Sequence, residues 1–161
     1  MATKNKNLSK HDVSKVPSAK GMRFGIVVSE WNTPVTEALY NGAYETLISN
    51  GAVPRDIYRY DVPGSFELPL GAQFMARHKP VDAVICVGCV IQGETRHFEF
   101  ICQAVANGIT NVGLHLSLPV VFGVLTTNSM DQALARAGGK HGNKGVEAAV
   151  TAIKMVALKR S

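Results

Sequence analysis

The sequence predicts an α/β three-layer sandwich: a four-stranded parallel sheet flanked by helices on both faces. Three observations carry this. Short apolar runs alternate from end to end with longer amphipathic stretches, as repeated strand–helix–strand units require. The third run is apolar from Ala83 to Val87, as a parallel strand covered on both faces must be. The junctions between run and stretch carry the proline, glycine and hydroxyl residues that start and stop helices.

The elements follow in order. Residues 1–20 are polar and lysine-rich and read as a flexible basic arm, leaving 21–161 as one domain. MRFGIVV at 22–28 is the first strand. Thr33 suits an N-cap and Pro34 the first helical position. Val35, Leu39, Ala43 and Leu47 then recur every four residues, one face of an amphipathic helix that Gly51 ends. DIYRYDV at 56–62 is a shorter, more polar strand and belongs nearer an edge. A turn at 63–67 follows, with Ser65 as the cap of a helix running to about Lys79. The third strand, 81–87, turns at Gly88 and Gly93 into a helix over 97–111 with Phe98, Ile101, Cys102 and Val105 inward. PVVFGVL at 119–125 is the fourth strand. A short helix over 130–137 is broken by the glycine-rich 138–145. The last helix, 146–159, carries Val146, Val150, Ile153 and Ala157 on one face.

The chain of 161 residues with 46% hydrophobic residues and a mean hydropathy of +0.07 suffices for one substantial core. No apolar run is long enough to span a bilayer, and the N-terminus lacks the apolar segment of a secretory signal. A cytoplasmic protein is expected, without a membrane partner. The net charge of +5 does not point to nucleic acid. Lys4, Lys6, Lys10, Lys15 and Lys20 against Asp12 alone place nearly all of it in the arm. Cys86 and Cys89 have redox-motif spacing, but they lie in or just after a buried strand and point to opposite faces. Neither a redox pair nor a metal site is expected.

Ligands of parallel sheets gather at the carboxyl ends of the strands, where right-handed crossovers leave a crevice. Four segments face it: Trp31 and Asn32, then Gly64 to Glu67, then Val90 to His97, then Phe122 onward. Gly93, Glu94 and Thr95 before a helix form either a phosphate cradle or an ordinary capped turn. His97 is a candidate base near neutral pH or a packing residue. Trp31, Phe66 and Phe122 suit stacking on a flat heterocycle as well as they suit a core. Glu67 could fix hydroxyls or cap its helix. Arg136, Lys140 and Lys144, four apart, could hold a phosphate, although the run is no Walker loop.

Four segments in the right order resemble the 6,7-dimethyl-8-ribityllumazine synthase family. They are VPGSFE at 62–67, GCVIQGETRH at 88–97, PVVFGVLTT at 119–127 and RAGGKHGNKG at 136–145. The resemblance runs from about Arg23 to the C-terminus. It implies a flavodoxin-like fold and a transferase that joins 5-amino-6-(D-ribitylamino)uracil to 3,4-dihydroxy-2-butanone 4-phosphate without a cofactor. It implies that Trp31 stacks on the pyrimidine ring beside Asn32. Ser65, Phe66 and Glu67 would hold the ribityl chain, and the backbone of Val90 and Ile91 would meet the pyrimidine edge. The amides of Gly93, Glu94 and Thr95 would hold the phosphate together with Arg136, and His97 would transfer protons. Phe122, Arg136 and Lys144 would come from a neighbouring subunit. A homopentamer follows from the resemblance, and the short turn at 138–145 favours an icosahedral shell of pentamers, with riboflavin synthase a further partner. Trp31 stands where phenylalanine is more often seen, Gln92 where a basic residue is common, and Gly139 where threonine is common. The competing expectation is a flavodoxin-like FMN-binding module without catalysis.

Overall fold

A computed structural model describes residues 7–161. Four strands form one parallel sheet in the order β2-β1-β3-β4: β1 (Phe24–Ser29), β2 (Ile57–Val62), β3 (Ala83–Ile91) and β4 (Val120–Thr127). All six residues of β1 and the first seven of β3 are buried, which fits their central places. The more polar β2 lies at an edge, as its composition predicts.

The period of two in β1 and β3 divides their side chains between two cores. Phe24, Ile26, Val28, Ile85 and Val87 face α1 (Thr33–Ser49) and α5 (Lys144–Arg160). Val27, Val84 and Cys86 face α2 (Leu68–His78) and α3 (His97–Leu116). The predicted α1 face is buried throughout: Val35, Leu39, Ala43 and Leu47 are fully enclosed. Cys86 and Cys89 fall in different cores, and burial pushes their thiols up to about 12 and about 11. Neither carries a thiolate at neutral pH. Among the described residues no helix is long and apolar enough to cross a membrane.

Several local expectations are corrected. The third strand does not turn at Gly88 but runs on to Ile91, because β4 continues beside it and pairs Val90 with Thr126 and Ile91 with Thr127. Gly88 is needed for space: a Cβ there would sit 2.7 Å from Ser65 Oγ and 2.8 Å from Leu68 Cδ1. Ser65 caps nothing. It opens a 3-10 turn, Ser65–Glu67, and its buried hydroxyl has no hydrogen-bond partner among the described residues. The N-cap of α1 is Asn32, in the left-handed region at φ 64°, not Thr33, whose hydroxyl donates to the Glu30 carbonyl (2.7 Å). The third helix extends to Leu116, and the short helix after β4 is only α4 (Met130–Leu134), capped by Ser129.

The glycine-rich stretch is not a plain break. It is a small antiparallel hairpin of β5 (Ala137–Gly139) and β6 (Gly142–Asn143). Residues 1–6 of the basic arm lie outside the described residues. From Asn7 onward the arm is docked against the domain. Leu8 N–H donates to the His141 carbonyl (2.7 Å), Ala19 N–H to the Asn50 carbonyl (2.8 Å), and the Ala19 side chain is fully buried. Its lysines at 10, 15 and 20 stay exposed, so the charge pattern that suggested an arm describes only its outer side.

Asn143 joins three elements. Its Oδ1 accepts from Gly145 N–H (2.7 Å) to cap α5, its Nδ2–H donates to the Ala38 carbonyl of α1 (2.8 Å), and its own N–H donates to Ser9 Oγ (2.9 Å). Asn143→Ala removes the cap of α5 and the side-chain bond that ties it to the Ala38 carbonyl of α1. It is expected to lower stability by about 2 kcal/mol, read as a drop in the denaturation midpoint in guanidinium chloride.

Candidate active site

The carboxyl ends of three strands converge on one cleft of about 290 Å³. Its lining comes from the exit of β1 (Trp31, Asn32), the exit of β2 (Gly64, Ser65, Phe66), the end of β3 (Cys89, Val90, Ile91) and the first turn of α3 (His97, Ile101). Asn32 fastens two of these walls together: its Nδ2–H donates to the Cys89 carbonyl (3.0 Å). The left-handed backbone at Asn32, which costs a non-glycine residue free energy, turns the chain there from strand to helix.

The walls differ in character. Trp31 is 73% exposed and Phe66 56% exposed, so two large aromatic faces border the opening with little apolar cover. Beside Phe66 on the same 3-10 turn, Ser65 Oγ is buried and has no partner among the described residues. A buried hydroxyl without a partner is costly; this one is enclosed within the chain, beside the space that Gly88 leaves open. The backbone edge at Val90 and Ile91 lies at the end of β3, beyond which Gln92 N–H donates to the Thr127 carbonyl (2.8 Å).

Beyond this edge the chain runs exposed from Gln92 to His97. A Cβ built on Gly93 would meet no described atom within 4 Å, so packing within the chain does not demand glycine there. The N-terminus of α3 has no side-chain cap at Arg96; Thr95 Oγ1 reaches His97 N–H only at 3.4 Å. A helix start left in this state presents N–H donors and the positive end of its dipole to an anion. Arg96 is engaged with Glu99 (3.3 Å) on the outer side.

Of the residues singled out in the sequence, Trp31, Asn32, Ser65, Phe66, Val90, Ile91 and His97 line this cleft. Gly93, Glu94 and Thr95 follow on the adjoining loop, and Glu67 is half-buried at the end of the 3-10 turn. Phe122, Arg136 and Lys144 are not there. Phe122 and Lys144 border a separate apolar groove of about 660 Å³ between α3 and α5, with Leu114, Leu118 and Met155. Arg136 lies in a third hollow with Asp131, Lys140 and His141. Arg136 and Lys144 nevertheless form one frame, because Lys144 N–H donates to the Arg136 carbonyl (2.9 Å) across the base of the hairpin. Sequence reasoning missed Ile101 and the Cys89 carbonyl. Ile101 lies one helical turn after His97, and that spacing alone could have placed it beside the histidine.

The sequence model of the 6,7-dimethyl-8-ribityllumazine synthase family matches residues 21–160. Proteins of that name are similar over nearly the whole chain. The one from Cytophaga hutchinsonii is 59% identical over 157 residues, covering 98% of this chain and 98% of its own. The one from Flavobacterium johnsoniae is 55% identical over 160 residues, covering 99% of this chain and 84% of its own. The one from Porphyromonas gingivalis is 52% identical over 160 residues, covering 99% of both. With the parallel sheet and its strand-end cleft described above, identity at this level leaves one assignment: the chain belongs to the 6,7-dimethyl-8-ribityllumazine synthase family.

Proposed function

We propose that the protein condenses 5-amino-6-(D-ribitylamino)uracil with 3,4-dihydroxy-2-butanone 4-phosphate to 6,7-dimethyl-8-ribityllumazine, releasing phosphate and water. The observation that carries this is the cleft itself: two exposed aromatics, the Ser65 turn, the end of β3 beyond its last pairing with β1, and a histidine meet beside an uncapped helix N-terminus. A flat heterocycle with a hydroxylated chain and a phosphorylated partner matches those features one for one.

In this reading Trp31 stacks on the pyrimidine, with Asn32 holding the wall behind it. Ser65, the backbone at Phe66, and Glu67 take the ribityl chain, and Val90 and Ile91 meet the ring edge. The phosphate sits over Gly93, Glu94 and Thr95, where the helix dipole favours it. The pyrimidine amine attacks the ketone carbon, and water leaves as the imine forms. Phosphate then departs, the enol tautomerises, and the second amine closes the ring with loss of water. His97 moves protons in these steps. Phosphate is a good leaving group, so most of the acceleration comes from holding two substrates in register.

Phe122, Arg136 and Lys144 serve the site of a neighbouring copy. Their absence from the cleft of their own chain supports this, as do the large apolar side chains left exposed at Phe66, Leu70, Phe74 and Leu114. The assembly is a homopentamer, and the compact hairpin at 137–143 suits closure of pentamers into an icosahedral shell. The protein works in the cytoplasm, with riboflavin synthase, the enzyme of the next step, as a partner.

The test mixes the purified protein with both substrates and follows the fluorescence of the lumazine. Turnover is expected, from a protein that is colourless as isolated. A yellow protein with bound FMN and no turnover would instead support a flavin-binding module. Light scattering on the same sample distinguishes a shell from a lone pentamer.

A further inference from the structure

The amino-terminal segment makes contacts for which the reaction itself has no use. Leu8 N–H donates to the His141 carbonyl (2.7 Å), and Ser9 Oγ accepts from Asn143 N–H (2.9 Å). Ser9 N–H donates to Asn7 Oδ1 (2.9 Å), and the Ser9 carbonyl lies 3.0 Å from His11 Nδ1. The segment thus runs beside β6 and binds on either side of Gly142, at His141 and at Asn143. Gly142, between those two contacts, has φ +78°. A Cβ there would collide with Asn7 Oδ1 and sit 2.6 Å from Ser9 N and 2.8 Å from Leu8 N. Glycine at 142 therefore meets two demands, a left-handed backbone and room for the segment.

What the segment grips is the frame of two cations. Arg136 immediately precedes β5, and Lys144 immediately follows β6. The base of the hairpin is closed by Lys144 N–H on the Arg136 carbonyl (2.9 Å) and by His141 N–H on the Ala135 carbonyl (2.8 Å). The far side of β6 is held only by residues 8 and 9 and by the Asn143 side chain among the described residues. A hairpin this short has few bonds of its own, so its setting depends on what it rests against: α1, α4 and α5 on one side, and residues 7–9 as the tether from outside.

We propose that residues 7–9 form a strap that fixes the hairpin and so aims Arg136 and Lys144 at the neighbouring site, with Ser9 as a positioning residue. This rests on the reading that Arg136 holds the phosphorylated substrate. The strap acts through the backbone of Asn143 and touches no substrate. A basic segment that reads as a solvated arm is thereby part of the binding machinery.

Ser9→Ala and Ser9→Thr in the full chain test this. Alanine removes the acceptor oxygen; threonine keeps it. Ser9→Ala is expected to raise KM for the dihydroxybutanone phosphate about threefold to tenfold, the effect of one lost hydrogen bond, with KM for the pyrimidine changed less. Amide hydrogen exchange should quicken over residues 137–144 and stay unchanged in β1 and β3. Ser9→Thr should restore both readouts. Unchanged KM for the phosphate substrate would overturn the strap, as would an equal rise in both KM values. Should the unaltered protein make no lumazine, the reaction reading falls by itself, and hydrogen exchange alone then judges the strap. Equal exchange over 137–144 in Ser9→Ala and the unaltered chain would overturn it.

Discussion

Replacing His97 by alanine is expected to slow turnover about tenfold to a hundredfold while leaving the fold and the oligomer intact. The two halves of this expectation have separate grounds. His97 is exposed at the first position of α3, so its ring adds little to either core. Losing it creates no cavity and strands no buried partner, and a surface change of this kind rarely shifts stability by more than about 0.5 kcal/mol. The kinetic half follows from position. Among the described residues the ring is the only imidazole lining the cleft, whose walls also carry Ser65 and the exposed aromatics Trp31 and Phe66. A positioned acid–base group contributes roughly a hundredfold to ten-thousandfold where proton transfer limits the rate. Here the loss falls at or below the lower end of that range, because imine formation and phosphate loss proceed readily once the substrates are held together, so that proton transfer limits the rate only in part. The check is kcat at saturating levels of both substrates, with light scattering on the same preparation. An unaltered kcat would remove His97 from the chemistry.

The sheet and its helices were legible because their signals are local. β1 and β3 are apolar runs, and the face of α1 repeats every four residues through Val35, Leu39, Ala43 and Leu47. Strand order could not be read from any run, but the right-handed crossover rule still placed the crevice at the strand ends. What failed was set by partners distant in sequence. Gly88 looks like a turn among apolar neighbours, yet β4 holds it in the sheet and Ser65 and Leu68 fill the space a side chain would need. The docking of residues 7–9 rests on one backbone pair, Leu8 to His141, and one serine hydroxyl, Ser9, and neither leaves a periodic pattern to read. The hairpin at 137–143 hides for the same reason. Its glycines signal flexibility, whereas two of them, Gly138 and Gly142, occupy left-handed positions in a fixed turn.

The candidate site divides along the same line. Seven of its residues fall on the exits of β1, β2 and β3 and the start of α3, where topology brings them together whatever their identity. Phe122, Arg136 and Lys144 lie elsewhere on the chain. The strand-end rule places Phe122 at the crevice, but it lies early in β4, opposite Cys86, and borders the other groove. No periodicity within one chain could have joined Arg136 and Lys144 to the cleft; only the resemblance did so, by assigning all three to a second copy.

That assignment yields the second large effect. Arg136→Ala is expected to raise KM for 3,4-dihydroxy-2-butanone 4-phosphate about tenfold to a hundredfold, the range of a lost charge-assisted hydrogen bond. KM for the pyrimidine should change much less. The guanidinium is held through Nη1–H on the Gln132 carbonyl (3.0 Å), at the rim of an open hollow. In the proposed role the rest of its fork would donate to the phosphate, and its removal leaves both cores untouched. The same variant tests where the arginine acts. In a ring in which each site pairs His97 of one copy with Arg136 of the next, His97→Ala and Arg136→Ala chains complement each other. Refolded together at equal amounts, they should recover about one quarter of the sites, because a site is intact when an Arg136→Ala chain supplies the histidine and a His97→Ala chain the arginine. If both residues served the site of their own chain, every chain in the mixture would carry one lesion and no site would be whole. Recovered turnover in the mixture, measured against each variant refolded alone, therefore decides between a shared site and a self-contained one.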